Sequence, residues 1–218
     1  MLTYFNAYPR LMKIQQTYDA PKVDDIPAKI RSELASLKLQ RRIRPGQTVA
    51  VPVGSRGIGN IALITKCIVD ELKALGAQPF IVPAMGSHGG GTAEGQRGII
   101  EGYGVTEPAM GVPVRATMET VEIGRTEDDV PVFFDRYAYE ADHVVVVNRI
   151  KPHPEFFGPA ESGLMKMLLI GLGKHRGAEY YHALITRMSF ERLITTGTRV
   201  VLDKCNPVSY THLTLPTN

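Results

Sequence analysis

The chain is poor in cysteine, has little excess of either charge and lacks any long apolar run. Each shortage removes a class of protein. Cys67 and Cys205 are the only thiols among 218 residues and form no Cys-x-x-Cys pair, so no disulfide framework stands behind the fold. That usage fits a reducing compartment, and a cytoplasmic location is the expectation. Lys and Arg total 25 against 22 Asp and Glu, a net +3 that is too small for the footprint of a nucleic-acid binder. The basic residues are also dispersed, apart from the run Arg41-Arg42-Ile43-Arg44. The longest apolar stretch surrounds residues 167–170, far short of the ~20 residues that cross a bilayer. Tyr4, Asn6, Pro9 and Arg10 occupy the place where a secretory signal would carry its apolar segment, so none is expected. What is present is a chain with 44% hydrophobic residues, enough to bury a core without covalent staples.

The pattern along the chain alternates strand and helix. After an extended start near 11–18, Ile26, Ile30, Leu34 and Leu37 recur at helical spacing behind Asp24-Asp25-Ile26-Pro27. Residues 48–53 read as a strand with no polar face, covered on both sides. A Gly-rich turn follows, then a helix carrying Ile61, Ile64, Ile68, Leu72 and Leu75 on one stripe and stopped by Gly76. A strand at 79–83, a second Gly-rich loop at 86–91 and a helix from the N-cap Thr92 to Gly102 come next. Residues 112–132 predict a small β meander turning at 127–129, residues 143–148 a buried strand, and residues 198–202 another strand. The fold expected is α/β and Rossmann-like: a mostly parallel, doubly wound sheet with helices on both faces plus the meander. No internal repeat or low-complexity tract interrupts it.

Residues 206–218 contain no Lys, Arg, Asp or Glu and lack helical or strand periodicity. Their end, SYTHLTLPTN, resembles translated sequencing-adapter read-through, and an ordinary disordered terminus is the alternative. The expected organisation is therefore one cofactor-binding and catalytic domain over 1–205, a non-native or disordered tail over 206–218, and a missing C-terminal domain.

Three loops, each behind an apolar strand, set an ionisable residue among polar and glycine neighbours. They carry Arg56 within VGSRGIGN (53–60), His88 within MGSHGGGT (85–92) and His153 within NRIKPHPEFFG (148–158). In an open parallel sheet, ligands bind outside the carboxyl ends of the strands, so the three loops point to one crevice. Glycines there let backbone N–H groups approach a phosphate beside helix N-termini, which makes an anionic-ligand pocket the functional reading. Turn-forming glycines with ordinary loop histidines are the bland one. Gly54-x-x-Gly57-x-Gly59 is one residue short of the short-chain dehydrogenase loop, and Tyr18-x-x-x-Lys22 contains Pro21 and precedes the loop. An NAD(P)-dependent oxidoreductase is thus the alternative, and a non-catalytic nucleotide- or anion-binding module a third.

Lys166 lies inside the apolar run 164–170, where an ammonium must snorkel outward, find a partner or lose its proton more easily. A lowered pKa is what an amine needs to bond covalently to a carbonyl-type partner. His175 and His182 lie seven apart, on one face if a helix spans them, but alone they do not define a zinc site.

Taken in order, these segments resemble the nickel-pincer lactate racemase family over about residues 45–205. The ordered set is the Arg-bearing loop, Gly86-Ser87-His88, His153, then Ser162-Gly163-x-x-Lys166 and His182 sixteen residues on. The resemblance implies a nickel-pincer nucleotide, a pyridinium mononucleotide with two sulfur donors that holds nickel and is joined to Lys166. His182 would ligate nickel. Gly54, Ser55, Gly57, Ser162 and Gly163 would contact the cofactor. Arg56 would bind the substrate anion, and His88 and His153 would be the acid–base pair. The implied substrate is a small 2-hydroxy acid or sugar-type molecule, and the implied partners are the enzymes that mature the cofactor, with no nucleic acid or membrane. Leu164 replaces a second glycine of the family, Ser-Arg-Gly replaces Thr-Arg-Pro, and the His-to-Lys interval is a few residues longer. These departures imply a divergent branch with a substrate other than lactate.

Overall fold

The computed structural model describes residues 12–15, 17, 23–55, 58–149, 163–205 and 207–209. Its centre is a parallel sheet in the order β2-β1-β5-β6, built from β1 (Thr48–Val53), β2 (Gln78–Pro83), β5 (His143–Val145) and β6 (Pro207–Ser209). The crossover from β1 runs through α2 (Ile61–Ala74) to β2. The chain then returns to the other side of β1, where Val49 and Ala50 pair with His143 and Val144. The strand order therefore reverses between β1 and β5, the switch point at which such sheets bind ligands.

Successive residues of each strand enter different cores, which explains sequences with no polar face. Val49 and Val51 cluster with Ile30 and Leu34 of α1 (Ile26–Ser36) and with Ile64, Ile68 and Leu72 of α2. Ala50, Phe80, Val82 and Val144 instead cluster with Leu168, Leu169, Ile194 and Val201 on the opposite side. Ile81 and Val53 join a third cluster with Ile100 of α3 (Ala93–Gly102) and Met110 of α4 (Glu107–Met110). Asp25 and Thr92 cap α1 and α3, as the sequence predicts.

The segment 112–132 gives less β structure than a meander. β3 (Thr120–Arg125) and β4 (Pro131–Asp135) form an antiparallel hairpin, while Val114 makes a single parallel bridge to Ile81 of β2, with Ile81 N–H donating to the Pro113 carbonyl (2.9 Å). A short α5 (Arg136–Glu140) leads to β5, whose paired part is three residues rather than six.

The largest correction concerns 198–202. These residues lie in α8 (Phe190–Lys204), not in a strand. Leu193, Ile194, Gly197, Thr198 and Val201 are its buried positions, a helical stripe that begins upstream of the β-branched run. Ser189 caps it by accepting from Arg192 N–H at 3.2 Å. Of the terminal segment, 207–209 forms β6, and 206 and 210–218 lie outside the described residues.

Candidate functional site

Because β1, β2 and β5 are parallel, the loops behind them share one edge of the sheet. Two of the predicted residues meet there directly. Ser55 Oγ, behind β1, lies 2.6 Å from Nδ1 of His88, behind β2, although 33 residues separate them. The Tyr103 hydroxyl, at the end of α3, donates to the Ser55 carbonyl and anchors that loop. The serine hydroxyl both donates and accepts, so it suits either neutral tautomer of the imidazole. His88 is exposed, as a group that must meet a substrate has to be. Arg56, Gly57, His153 and Ser162 lie outside the described residues.

The third wall is a broken helix. Gly163 opens α6 (Leu164–Lys166) at φ +86° and ψ −144°, backbone angles that a side chain would strain. Its carbonyl accepts from Asn148 Nδ2 at 2.9 Å, which ties the loop behind β5 to the lysine-bearing turn. A π turn, Met167–Gly171, follows Lys166 at once, closed by Leu172 N–H to the Met167 carbonyl at 2.8 Å. This turn packs over the strand ends. Gly86 N–H donates to the Gly171 carbonyl at 3.1 Å, and a Cβ on Gly54 would touch Met167 Cε at 3.4 Å. Gly54 and Gly163, both predicted cofactor contacts, thus flank the segment that carries Lys166.

The chain continues into α7 (Lys174–Leu184), which places His175 and His182 on one exposed face as their spacing predicts. The ring of His182 hydrogen-bonds through Nδ1 to the Ala178 carbonyl one turn back. A carbonyl only accepts, so Nδ1 carries a proton, and in the neutral ring Nε2 is then the nitrogen with the lone pair, the kind that ligates a metal.

The fully buried lysine of this segment is not the one in the apolar run. Lys166 is half-buried, whereas Lys174 is 0% exposed. Its Nζ donates to the Pro83 carbonyl (2.7 Å) and to Gln96 Oε1 (2.8 Å), and lies 3.4 Å from Oδ2 of the equally buried Asp135. Burial pushes the Lys174 ammonium below its ordinary range and the Asp135 carboxyl above its own, and each charge partly restores the other. Asp135 Oδ1 meanwhile caps α5 by accepting from Ala138 N–H at 3.0 Å. The only local signal was the string Gly171-Leu172-Gly173-Lys174, which reads as a turn; Lys174 does enter α7 with φ +57°.

The His88 loop tolerates no bulk at its base. A Cβ on Gly95 would lie 2.0 Å from the Gly89 carbonyl oxygen and 2.8 Å from the Thr92 capping hydroxyl. Gly95→Ala should therefore cost about 1–3 kcal/mol, the usual range for forced overpacking, and displace the loop. Chemical denaturation of the variant and parent measures it. Unchanged stability would show that α3 shifts freely beneath the loop.

A surface cavity of about 600 Å³ by the β3–β4 hairpin, lined partly by Arg136, Tyr139 and Arg176, contains none of the predicted residues. Its Arg136 is already engaged by Glu119 and Glu140.

The fold is an α/β domain built on a parallel sheet, with the candidate site at its switch point. Residues 10–193 match the lactate racemase N-terminal domain, and the chain belongs to that family. No curated protein matches it by sequence. Among the described residues, no helix is long and apolar enough to cross a membrane.

Proposed function

We propose that this domain carries a nickel-pincer nucleotide on Lys166 and serves an isomerase that interconverts stereoisomers of a 2-hydroxy acid or sugar-type substrate. One observation carries the reading. The segment bearing Lys166 is hydrogen-bonded to the His88 loop through Gly86–Gly171 and to the loop behind β5 through Asn148–Gly163, at the same edge where Ser55 meets His88. Membership of the lactate racemase family favours this over a nicotinamide oxidoreductase.

The donor set fits such a group. Among the described residues, no three His, Cys, Asp or Glu side chains gather as an all-protein metal site would require. A cofactor that brings its own donors needs one protein imidazole, and His182 offers Nε2 with its tautomer fixed by Ala178. An amine at Lys166 supplies the covalent anchor. The N-terminus of α2 has no side-chain cap, so its first-turn amides are available to a phosphate. When bound, the cofactor supplies a reversible acceptor for the hydride on the substrate's α-carbon. The chain's own work is proton transfer and orientation. His88 removes the hydroxyl proton in one direction and returns it in the other, and Ser55 Oγ accepts from the Nδ1–H of the imidazolium formed between. His153 would do the same from the opposite side, and Arg56 would hold the substrate's anionic group.

Intact-mass and peptide mass spectrometry test the assignment after co-production with the cofactor's maturation enzymes. The expected result is an adduct on the peptide containing Lys166, lost in Lys166→Arg. Cofactor bound with Lys166 unmodified overturns it.

A further inference from the structure

The buried Asp135–Lys174–Gln96 chain ends on the loop that carries His88. Gln96 presents its oxygen to Lys174 and its amide nitrogen to two carbonyls, Gly86 O at 2.7 Å and His88 O at 3.2 Å. Lys174 itself holds the carbonyl of Pro83, the last residue of β2. One ammonium and one amide thus gather backbone oxygens from residues 83, 86 and 88. Gly86 is held from its other side as well, by donating to Gly171 at the end of the π turn. The loop is fixed at both flanks and the imidazole is left exposed at its tip, against Ser55 Oγ.

Stability alone is a poor reason for this arrangement. Taking a lysine and an aspartate fully out of water costs several kcal/mol per ion, and apolar residues of similar volume often serve equally well. A buried polar network instead specifies one geometry, because each donor and acceptor must be satisfied in place. The acceptors satisfied here are the backbone of the very loop that aims His88. Apolar replacement would leave the Gly86 and His88 carbonyls without these donors and the loop free to move. A displacement of the order of 1 Å at an acid–base group lowers rate substantially.

We propose that Lys174 and Gln96, braced by Asp135, are positioning residues that fix the backbone of the His88 loop and so hold the imidazole on Ser55. The functional part of this inference rests on the acid–base reading of His88; the positioning itself does not.

The test uses the 218-residue chain labelled with ¹⁵N-histidine, whose ring nitrogens report tautomer and hydrogen bonding residue by residue. Gln96→Met and Lys174→Met are compared with the parent, with His88→Gln identifying the His88 signals. Gln96→Met removes both donors to the loop while keeping the ion pair, so it decides the matter if Lys174→Met does not fold. The expected result is that the His88 ring nitrogens lose the parent's hydrogen-bonded pattern and move toward averaged, solvent-exchanging tautomers, while His143 and His182 signals stay in place. In cofactor-loaded enzyme the same variants should lower kcat about tenfold or more with KM little changed, as for lost orientation rather than lost binding. A folded Gln96→Met variant with an unaltered His88 spectrum overturns the proposal. An altered spectrum beside a fully active His88→Gln enzyme leaves the positioning standing and sinks the acid–base reading instead.

Discussion

Lys174→Met should destabilise the domain by about 3–5 kcal/mol near neutral pH, the usual cost of leaving a buried charge without its partner. The variant nearly preserves volume, so the loss comes from the stranded polar partners: the Pro83 carbonyl and Gln96 Oε1 lose a donor, and Asp135, 0% exposed, is left with Oδ2 facing no cation. The pH dependence has a definite sign. Burial already holds the Asp135 carboxyl above its ordinary 3.8, against the opposing pull of Lys174. Removing that pull raises it further. The folded state then keeps a proton that the unfolded state releases, so stability is fully present below about pH 3.8 and is lost as pH rises through the folded value. Urea unfolding at roughly pH 4 and pH 8 should therefore show a smaller penalty in acid. Adding Asp135→Asn, which keeps an oxygen for the α5 cap, should recover much of the loss and erase the pH dependence. An equal penalty at both pH values would mean that Asp135 finds another donor.

His88→Gln should slow substrate interconversion by the loaded enzyme 10²–10⁴-fold, the range for loss of a positioned acid–base group. Its effect on folding should be small, because the ring is exposed. The measurement is the rate at which one stereoisomer of a 2-hydroxy acid converts to the other, beside a thermal melt of the same sample. Retention of more than about a tenth of the parent rate would remove His88 from the proton-transfer step. The pairing of a large kinetic effect with an unchanged melt also separates His88 from Lys174, whose replacement moves both.

The parallel sheet was legible because β1 and β2 are buried on both faces and read as unbroken apolar strings between glycine turns. α1, α2 and α3 were legible through apolar period and through the capping residues Asp25 and Thr92. α8 was misread because its second half carries the β-branched Thr198, Val200 and Val201, and local preference there yields to a stripe that starts at Leu193. The meeting of Ser55 with His88 was foreseeable from topology alone, since equivalent loops of parallel strands share an edge. Lys174 was not. A lysine declares its burial only through partners, and Gln96 and Asp135 lie 78 and 39 residues away, on elements whose packing no local pattern encodes.

The π turn at Met167–Gly171 decides where this segment can lose a residue. Such a turn carries one residue more than an α-helical turn of the same span. Deleting any one residue between Met167 and Gly171 would let the backbone close as ordinary α-helix. Because the extra residue sits within one span, the two flanks would then keep nearly their present relation, whereas a deletion from a regular α-helix rotates one side by roughly 100° and shifts it by about 1.5 Å relative to the other. Lys166 stands immediately before that turn, and Lys174 and His182 stand after it. Their mutual direction is therefore buffered against the loss of one residue within the turn but not beyond it. A single-codon deletion inside the turn would therefore spare the direction of Lys166, whereas one inside α7 ahead of His182 would swing that imidazole away from it.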